Sequence, residues 1–205
     1  MDSTYPYIAS LTREGFLFYE MKVTAGLLIQ GLTGKEAIEK VFKENLYQYP
    51  TEKSLKGMAR CCVKRLKGLE NEYLVKELAT GSQDVAKQIC LYAMMRQSRL
   101  LWEFMTTVIG EKYRTFDYSY SRMELNSYFT RLQEQDETVG SWSENTIKAL
   151  KSVFNRVLVE NGYIDNYKSE KLNKVLLDEN LKKTILENGD SRCLPAFNCF
   201  EQEEI

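Results

Sequence analysis

The sequence predicts an all-α protein built as a multi-helix bundle. Proline and glycine, which punctuate turn-rich β folds, number only 3 and 11 in 205 residues. Leucine, lysine and glutamate, which favour helices, are plentiful. Apolar side chains recur at spacings of three and four along most of the chain, which is the pattern of a half-buried helix. With 43% hydrophobic residues the chain can enclose a substantial core.

The first two predicted helices occupy the N-terminal part of the chain. Helix one runs from about Arg13 to Gln30 and is closed by a glycine. Its apolar positions at helical spacing are Phe16, Leu17, Met21, Ala25, Leu28 and Ile29. Thr33 and Glu36 then form a capping box, in which each side chain bonds the backbone amide of the other residue. The second helix is therefore expected to start after Thr33 and to end near Asn45.

A third predicted helix, capped by Thr51 and running to about Leu69, is strongly two-sided. Its apolar stripe consists of Leu55, Met58, Ala59, Cys62, Val63 and Leu66. The opposite side is basic and consists of Lys53, Lys56, Arg60, Lys64 and Lys67, with Arg65 beside them. Only Glu52 opposes this charge, and the glutamates at i,i+4 that solvated helices usually carry are missing. The pattern predicts a stripe of positive charge along one helix.

The middle of the chain is expected to hold a subdomain boundary. Residues 70–82 predict a short helix followed by a break at Gly81, between Thr80 and Ser82. The predicted division is an N-terminal helical subdomain, residues 1–80, and a C-terminal helical body, residues 81–205. From Asp84 to about Arg114 the apolar positions are nearly continuous. One or two central helices should therefore be buried there on several sides.

The C-terminal half contains two further capping-box patterns. Ser121 with Glu124 and Ser141 with Glu144 predict helices of about ten and seventeen residues. Gly162 marks the expected end of the second of these helices.

A last helix is expected from about Glu179 to Asn188, where Gly189 stops it. The segment before it, residues 163–177, is either a loop or a short hairpin, because it includes a run of strand-compatible valine and leucine. An acidic tail is expected to fray and consists of Glu201, Glu203 and Glu204.

No residue pattern predicts catalysis. The chain contains 0 histidines, so the usual general base near neutral pH, and the nucleophile arrangements that depend on it, are excluded. Gly26, Gly31 and Gly34 are too widely spaced to form a phosphate-binding loop. Paired carboxylates such as Glu134 with Asp136 lie in polar stretches that are typical of a solvated surface. We therefore predict a protein that is not an enzyme and needs no cofactor or metal.

The cysteines and the apolar segments predict a cytoplasmic protein. The five cysteines, which lack C-x-x-C spacing, are Cys61, Cys62, Cys90, Cys193 and Cys199. We expect them to be reduced thiols, mostly buried in the core. The most apolar stretch, residues 90–109, is interrupted by Arg96, Arg99 and Glu103, whose charges oppose a membrane span. The N-terminus carries no basic segment of the kind that begins a signal peptide.

The basic stripe of the third helix admits more than one interpretation. A pair of capped helices whose second member is basic is typical of a helix-turn-helix, which presents that helix to the major groove and the phosphates. The connection of about six residues is longer than the tight turn of the standard motif, and lysine contacts phosphates more often than it reads bases. A solvated outer face is the alternative. With a formal net charge of -1, any DNA affinity must come from this one face.

Six segments, in order along the chain, together resemble the BrxA family, the small helical proteins of the BREX bacteriophage-exclusion systems. They are YIASLTREG at 7–15, NLYQ at 45–48, RL at 65–66, SRLLWEF at 98–104, WSENT at 142–146 and LVENGYI at 158–164. The resemblance implies an all-helical protein with an N-terminal helix-turn-helix-like part and a body similar to the antitermination factor NusB. It also implies a non-enzymatic, DNA-binding component of phage defence.

Together with that resemblance, the stripe becomes the predicted site for double-stranded DNA. The residues expected to contact phosphates are Lys53, Lys56, Arg60, Lys64, Arg65 and Lys67, extended by Arg96 and Arg99 if the central helix exposes them. The alternative is an adaptor that docks other BREX proteins, its basic helix facing an acidic partner.

Overall fold

The computed structural model of the chain describes residues 6–200, and within that range it is all-α, as the sequence predicts. Eleven α-helices, two 3-10 segments and one π-helical segment make up this part of the chain, and none of it forms a strand. The chain divides into two compact units. Residues 14–97 form one, and residues 98–205 together with residues 1–13 form the other.

The 14–97 unit, all of which is described, contains five helices that follow one another closely. They are α1 (Phe18–Ile29), α2 (Gly34–Glu44), α3 (Glu52–Lys67), α4 (Glu72–Thr80) and α5 (Gln83–Met95). Helix α1 packs against the other four, and α5 is the most deeply buried, with Ile89 and Leu91 among its fully enclosed side chains. The core of this unit therefore lies between α1 and the remaining helices.

The predicted boundary at residue 80 differs from the division in the structure. Gly81 does end α4, but α5 returns from this turn and packs against α4, α1 and α3. An added Cβ at Gly81 would lie 2.6 Å from the carbonyl oxygen of Glu77, so the turn is tight. The break in helical periodicity at Gly81 is therefore a tight turn between α4 and α5 within one unit. The boundary between the two units follows Gln97.

The first helix begins later than its apolar pattern predicts. It starts at Phe18 rather than near Arg13, because Leu17 adopts a left-handed backbone conformation with φ 54°. The residues before it instead place their carbonyl oxygens against the side chain of Arg65. A tertiary contact has therefore replaced what local propensity would have made a longer helix.

The caps of the next two helices are confirmed. Thr33 and Glu36 form the predicted capping box at the start of α2, and Asn45 ends that helix in a left-handed conformation. The Thr51 side chain accepts a hydrogen bond from the backbone amide of Ser54 and so starts α3. Each of these bonds satisfies a backbone group that the helix end leaves unpaired.

In the second unit the described part contains six helices. They are α6 (Arg99–Phe104), α7 (Gly110–Arg114), α8 (Arg122–Gln135), α9 (Glu137–Gly140), α10 (Glu144–Glu160) and α11 (Glu179–Glu187). A π-helical segment, Met105–Ile109, joins α6 to α7, so that the three segments form one continuous helix. The sequence predicts one or two central helices in this region, and the structure has two: α5 and this continuous helix. Ser98 caps the start of α6 by accepting from the amide of Leu101.

An aromatic cluster forms the core of the second unit. The ring of Phe104 lies 5.2 Å from that of Phe154 and 5.4 Å from that of Tyr128, measured between centroids. Phe129 lies 5.5 Å from Phe154. These rings come from α6, α8 and α10 and meet at tilted or edge-on angles, which is the arrangement that aromatic quadrupoles favour.

Of the two predicted capping boxes in this unit, one is confirmed and one is wrong. Ser121 and Glu124 form a capping box at the start of α8. Helix α10 has the predicted seventeen residues, but its cap is Ser143, which accepts from the amide of Thr146. Ser141 instead donates to the carbonyl oxygen of Thr138, because the short α9 ends there. A serine three residues before a glutamate was therefore not sufficient to locate the cap.

The segment after α10 is irregular rather than a hairpin. Its one ladder contact among the described residues is an isolated antiparallel bridge between Ser119 and Lys171. Helix α11 closely matches its predicted limits, and Gly189 follows it with φ +70°. The predicted acidic tail, Glu201, Glu203 and Glu204, lies outside the described residues.

Candidate nucleic-acid interface

The outer side of α3 exposes five positively charged side chains. We call this surface the basic face, and it consists of Lys53, Lys56, Arg60, Lys64 and Lys67. At 100° per residue these positions fall within an arc of about 80°, and at 1.5 Å per residue they extend over about 21 Å. Five of the six predicted members of the stripe are therefore brought together on one accessible surface.

Burial of the opposite side fixes the orientation of α3. Leu55, Ala59 and Cys62 are at most 2% exposed and pack into the core of the 14–97 unit. Rotating the helix to hide the lysines would bring these apolar groups into water, at about 25 cal/mol for each Å². The hydrophobic stripe thus determines which way the charges face.

The basic face is not neutralised by neighbouring acids. Among residues 6–200, no carboxylate lies within ion-pair distance of its five cationic groups. Some lysines elsewhere in the described residues are paired: Lys112 with Asp117 at 2.8 Å and Lys183 with Glu187 at 3.7 Å. The Lys56 ammonium lies 4.7 Å from the centre of the Phe42 ring, a contact that holds the charge near the surface of α2 and α3.

The structure corrects the prediction for Arg65, which does not belong to the basic face. Its side chain is only 2% exposed. The guanidinium donates to the backbone carbonyl oxygens of Gly15 at 2.9 Å and Phe16 at 3.3 Å, and to that of Glu14. On the helix, Arg65 lies beside the basic stripe rather than within it, and this offset is the sequence signal that separates it from the five exposed cations. Arg65 clamps the segment before α1 to α3.

Arg96 is likewise occupied inside the 14–97 unit. Its guanidinium donates to the carbonyl oxygen of Gly68 and to the carboxylate of Glu70 at 2.9 Å. The neighbouring Gln97 side chain donates to the carbonyl oxygen of Lys64 at 2.7 Å. Both residues therefore satisfy carbonyl groups at the C-terminal end of α3. The structure gives Arg96 the role of a helix cap rather than an extension of the basic face.

Arg99 belongs to the second unit and is also engaged. Its Nε donates to Glu103 at 2.7 Å, and its guanidinium stacks over the Tyr7 ring at 4.0 Å. The Tyr7 hydroxyl donates to the same carboxylate at 2.6 Å. Burial, together with this hydrogen bond, raises the pKa of Tyr7 to about 12. The three side chains hold the N-terminal segment of that unit in place.

The thiols of the 14–97 unit are free and buried, as the sequence predicts. Burial raises the pKa of Cys61 to about 11 and that of Cys90 to about 12. The Cys90 thiol also donates to the carbonyl oxygen of Phe16 at 3.3 Å. Because the thiolate is the reactive form, neither group is a nucleophile near neutral pH.

The described residues contain neither a clustered metal site nor a helix that could span a membrane. In residues 6–200, no group of three or more cysteine, aspartate or glutamate side chains is arranged to hold a metal ion. No helix in this part of the chain combines the length and the apolar character that crossing a bilayer requires.

Comparisons with known proteins point to one family. The model of the BrxA family matches residues 5–189 of the chain. A BREX protein BrxA from Bacillus cereus (strain H3081.97) is 35% identical over 185 residues, which are 90% of this chain and 92% of that protein. A BREX protein BrxA from Paramagnetospirillum magneticum (strain ATCC 700264 / AMB-1) is 27% identical over 178 residues, covering 85% and 89% of the two chains.

A solved structure supports the fold independently. The crystal structure of an uncharacterized protein from Magnetospirillum magneticum superposes with a TM-score of 0.77 at 25% sequence identity. The match covers 93% of this chain and 97% of that one. The arrangement of helices described above is therefore shared over nearly the full length of both proteins.

Proposed function

The chain belongs to the BrxA family, and from this membership we propose that it is a non-enzymatic component of a BREX phage-defence system that binds double-stranded DNA. The basic face of α3 is the binding surface in this proposal. The observation that carries it is the exposure of five cationic side chains on one helix, with no carboxylate of residues 6–200 in ion-pair distance.

The spacing of the basic face suits a phosphate backbone. Five charges over about 21 Å of helix match the scale on which duplex DNA presents phosphates, one per 3.4 Å of axis on each strand. Four of the five are lysines, which bind phosphates as point charges. Arg60 is the member able to form a paired hydrogen bond with a guanine edge. Binding is therefore expected to depend mainly on charge and only weakly on base sequence.

The connection between α2 and α3 supports a binding mode in which DNA contacts α3 along its length rather than at its N-terminal end. Residues 45–51 separate the two helices, and Asn45 and Gln48 both take left-handed conformations, with φ 45° and 56°. The recognition helix of a helix-turn-helix reads bases mainly through its N-terminal residues. The charges of α3 instead continue to Lys67 at its last turn. A phosphate-tracking mode fits this distribution better than base reading.

The second candidate function is an adaptor that docks another BREX protein. The same basic face favours it, because unpaired lysines steer an acidic protein surface as effectively as they steer DNA. The two functions differ in their dependence on salt. Release of condensed counterions gives DNA binding a slope of about -0.9 in log affinity against log salt for each phosphate contact.

Fluorescence anisotropy of a labelled duplex at several salt concentrations tests the proposal. Five contacts predict a slope of about -4.5, and Lys56→Glu combined with Arg60→Glu should flatten it by about two units or abolish binding. The matched control is Arg156→Glu combined with Lys183→Glu, since these side chains are 66% and 76% exposed on helices of the second unit. Equal loss in both double variants would contradict the assignment to α3.

A further inference from the structure

Helices α8 and α10 of the second unit run antiparallel, and polar side chains from both helices meet along the line where they pack. The Lys151 ammonium of α10 donates to the Asn126 side chain of α8 at 2.8 Å. The Tyr120 hydroxyl, which comes before α8 in the chain, donates to Asn155, one turn further along α10, at 3.2 Å. Following α8 backward therefore corresponds to following α10 forward.

Three cations and one amide on this surface are placed to contact an anion. We call the surface the α8–α10 face, and it consists of Lys148, Lys151 and Asn155 of α10 with Arg122 of α8. At 100° per residue the three α10 positions fall within an arc of about 60°, and at 1.5 Å per residue they extend over about 10 Å. Arg122 lies one turn before Asn126 on the same side of α8, toward the Asn155 end.

Lys151 is a partly buried ammonium without a counter-ion. Among the described residues no carboxylate lies in ion-pair distance of it, and the Asn126 oxygen to which it donates is neutral. The ammonium lies 5.9 Å from the centre of the Phe129 ring. Burial lowers the pKa of Lys151 below its usual value, and no neighbouring acid opposes this change. A bound phosphate would supply the negative charge that this position lacks.

The other members of the face are also available to a ligand. Arg122 and Lys148 are exposed, and neither forms an ion pair within residues 6–200. Asn155 accepts from Tyr120 through its oxygen, while its amide nitrogen donates to no described residue. One acid, Glu144, shares this side of α10, one turn before Lys148 and at the end away from Asn155. Positive charge therefore predominates on the face.

The spacing and chemistry of the face suit a phosphodiester strand. Each strand of duplex DNA presents one phosphate per 3.4 Å of axis, so about 10 Å of helix can meet about three of them. Lysine, arginine and asparagine are all frequent donors to phosphate oxygens. The neighbouring exposed positions of α8, Thr130 and Gln133, are neutral and do not repel such a strand.

We propose that the α8–α10 face is a second phosphate-binding surface for double-stranded DNA, on the unit that does not contain α3. Arg122, Lys148 and Lys151 bind phosphates, and the Asn155 amide donates to a phosphate oxygen beside them. The inference takes its ligand from the proposed function, but it does not depend on the assignment of binding to α3. It predicts a salt slope steeper than the value of about -4.5 expected for the basic face alone.

Removing charge from the α8–α10 face tests the inference in the full-length protein. Lys148→Gln combined with Lys151→Gln should flatten the plot of log affinity against log salt by about two units, because two phosphate contacts are lost. The matched control is Arg156→Gln combined with Lys183→Gln, which removes the same charge from exposed positions elsewhere in the second unit. This control should leave the slope unchanged. Equal slopes in the two double variants would overturn the inference.

Acetylation of lysines in the wild-type protein keeps the test decisive if substitution of Lys151 unfolds the chain. With the duplex at about ten times its Kd, acetylation of Lys148 and Lys151 should slow by about ten-fold, since only the unbound fraction reacts. Acetylation of Lys183 should not change, and mass spectrometry of peptides measures all three sites. Unchanged acetylation of Lys148 and Lys151 would overturn the inference while DNA binding by α3 stands.

A poly-glutamate peptide distinguishes an acidic protein ligand from DNA. If the Lys148→Gln, Lys151→Gln variant lost affinity for the peptide but kept the DNA salt slope of the wild-type protein, the face would bind an acidic protein surface and the inference would be wrong. Failure of the wild-type protein to bind duplex DNA at all would instead contradict the proposed function itself.

Discussion

Arg65 of α3 donates a hydrogen bond of 2.9 Å to the backbone carbonyl oxygen of Gly15, fifty positions earlier in the chain. The guanidinium also reaches the carbonyl oxygens of Glu14 and Phe16, so one side chain satisfies three consecutive peptide groups. A side chain adjacent to the basic face therefore serves to attach α3 to the start of α1.

Removing this clamp should destabilise the protein without removing a charge from the basic face. Arg65→Met leaves the three carbonyl groups without their donor, and we expect a loss of about 2 kcal/mol in the free energy of unfolding. Urea denaturation followed by circular dichroism measures it. Lys64→Met is the matched control, since its side chain is exposed, and it should change stability by about 0.5 kcal/mol or less. Equal stability of the two variants would show that the clamp contributes nothing.

The cap of α10 can be located by two single substitutions. Ser143 accepts from the amide of Thr146 at 3.2 Å, whereas Ser141 donates to a carbonyl group at an exposed turn. Ser143→Ala should therefore cost about 1 kcal/mol. Ser141→Ala should cost less than half of that. Thermal denaturation of both variants compares them, and a larger effect at Ser141 would contradict the observed cap.

Stability should fall in alkaline solution. Burial raises the pKa of Cys61 from 9.0 to about 11 and that of Tyr7 from 10.0 to about 12. In each case the folded protein holds its proton to higher pH than the unfolded chain does, so stability is complete below the unfolded pKa and is lost as pH rises toward the folded value. Urea midpoints measured between pH 8 and pH 12 should decline from about pH 9 upward.

Tyr7→Phe provides the control for that decline, because it removes one titrating group. The loss of stability between the unfolded and folded pKa values of Tyr7 should be smaller in this variant than in the wild-type protein, whatever their difference at neutral pH. An identical alkaline slope would mean that the Tyr7 hydroxyl does not titrate as its contact with Glu103 implies.

Thiol reactivity should separate the cysteines by burial. Cys199 is partly exposed, while Cys61, Cys62 and Cys90 are buried. An aromatic disulfide reagent at neutral pH should therefore modify Cys199 first and the three buried thiols of the 14–97 unit only as fast as that unit opens. Mass spectrometry of peptides after short exposure identifies the modified sites. Early modification of Cys61 would contradict a buried, protonated thiol.

Much of the secondary structure follows from the sequence because its signals are local. The capping boxes at Thr33 and Ser121 and the stripe of α3 depend on residues three and four apart, which a helix brings together by itself. The predictions for the start of α1 and the cap of α10 are wrong because they too relied on local signals alone. Each depends on a neighbour that local periodicity does not contain: Arg65 in the first case and the short α9 in the second.

The sequence by itself determined that the chain is helical, that α3 is basic on one side, and that no histidine is available for catalysis. Only the tertiary structure decided which cations are available. It buried Arg65, assigned Arg96 to the end of α3 and Arg99 to Glu103, and left five side chains exposed. The physical reason is that a helical pattern specifies only the direction of a side chain. Whether that side chain is already hydrogen-bonded within the protein depends on carbonyl and carboxylate groups that folding brings from distant positions.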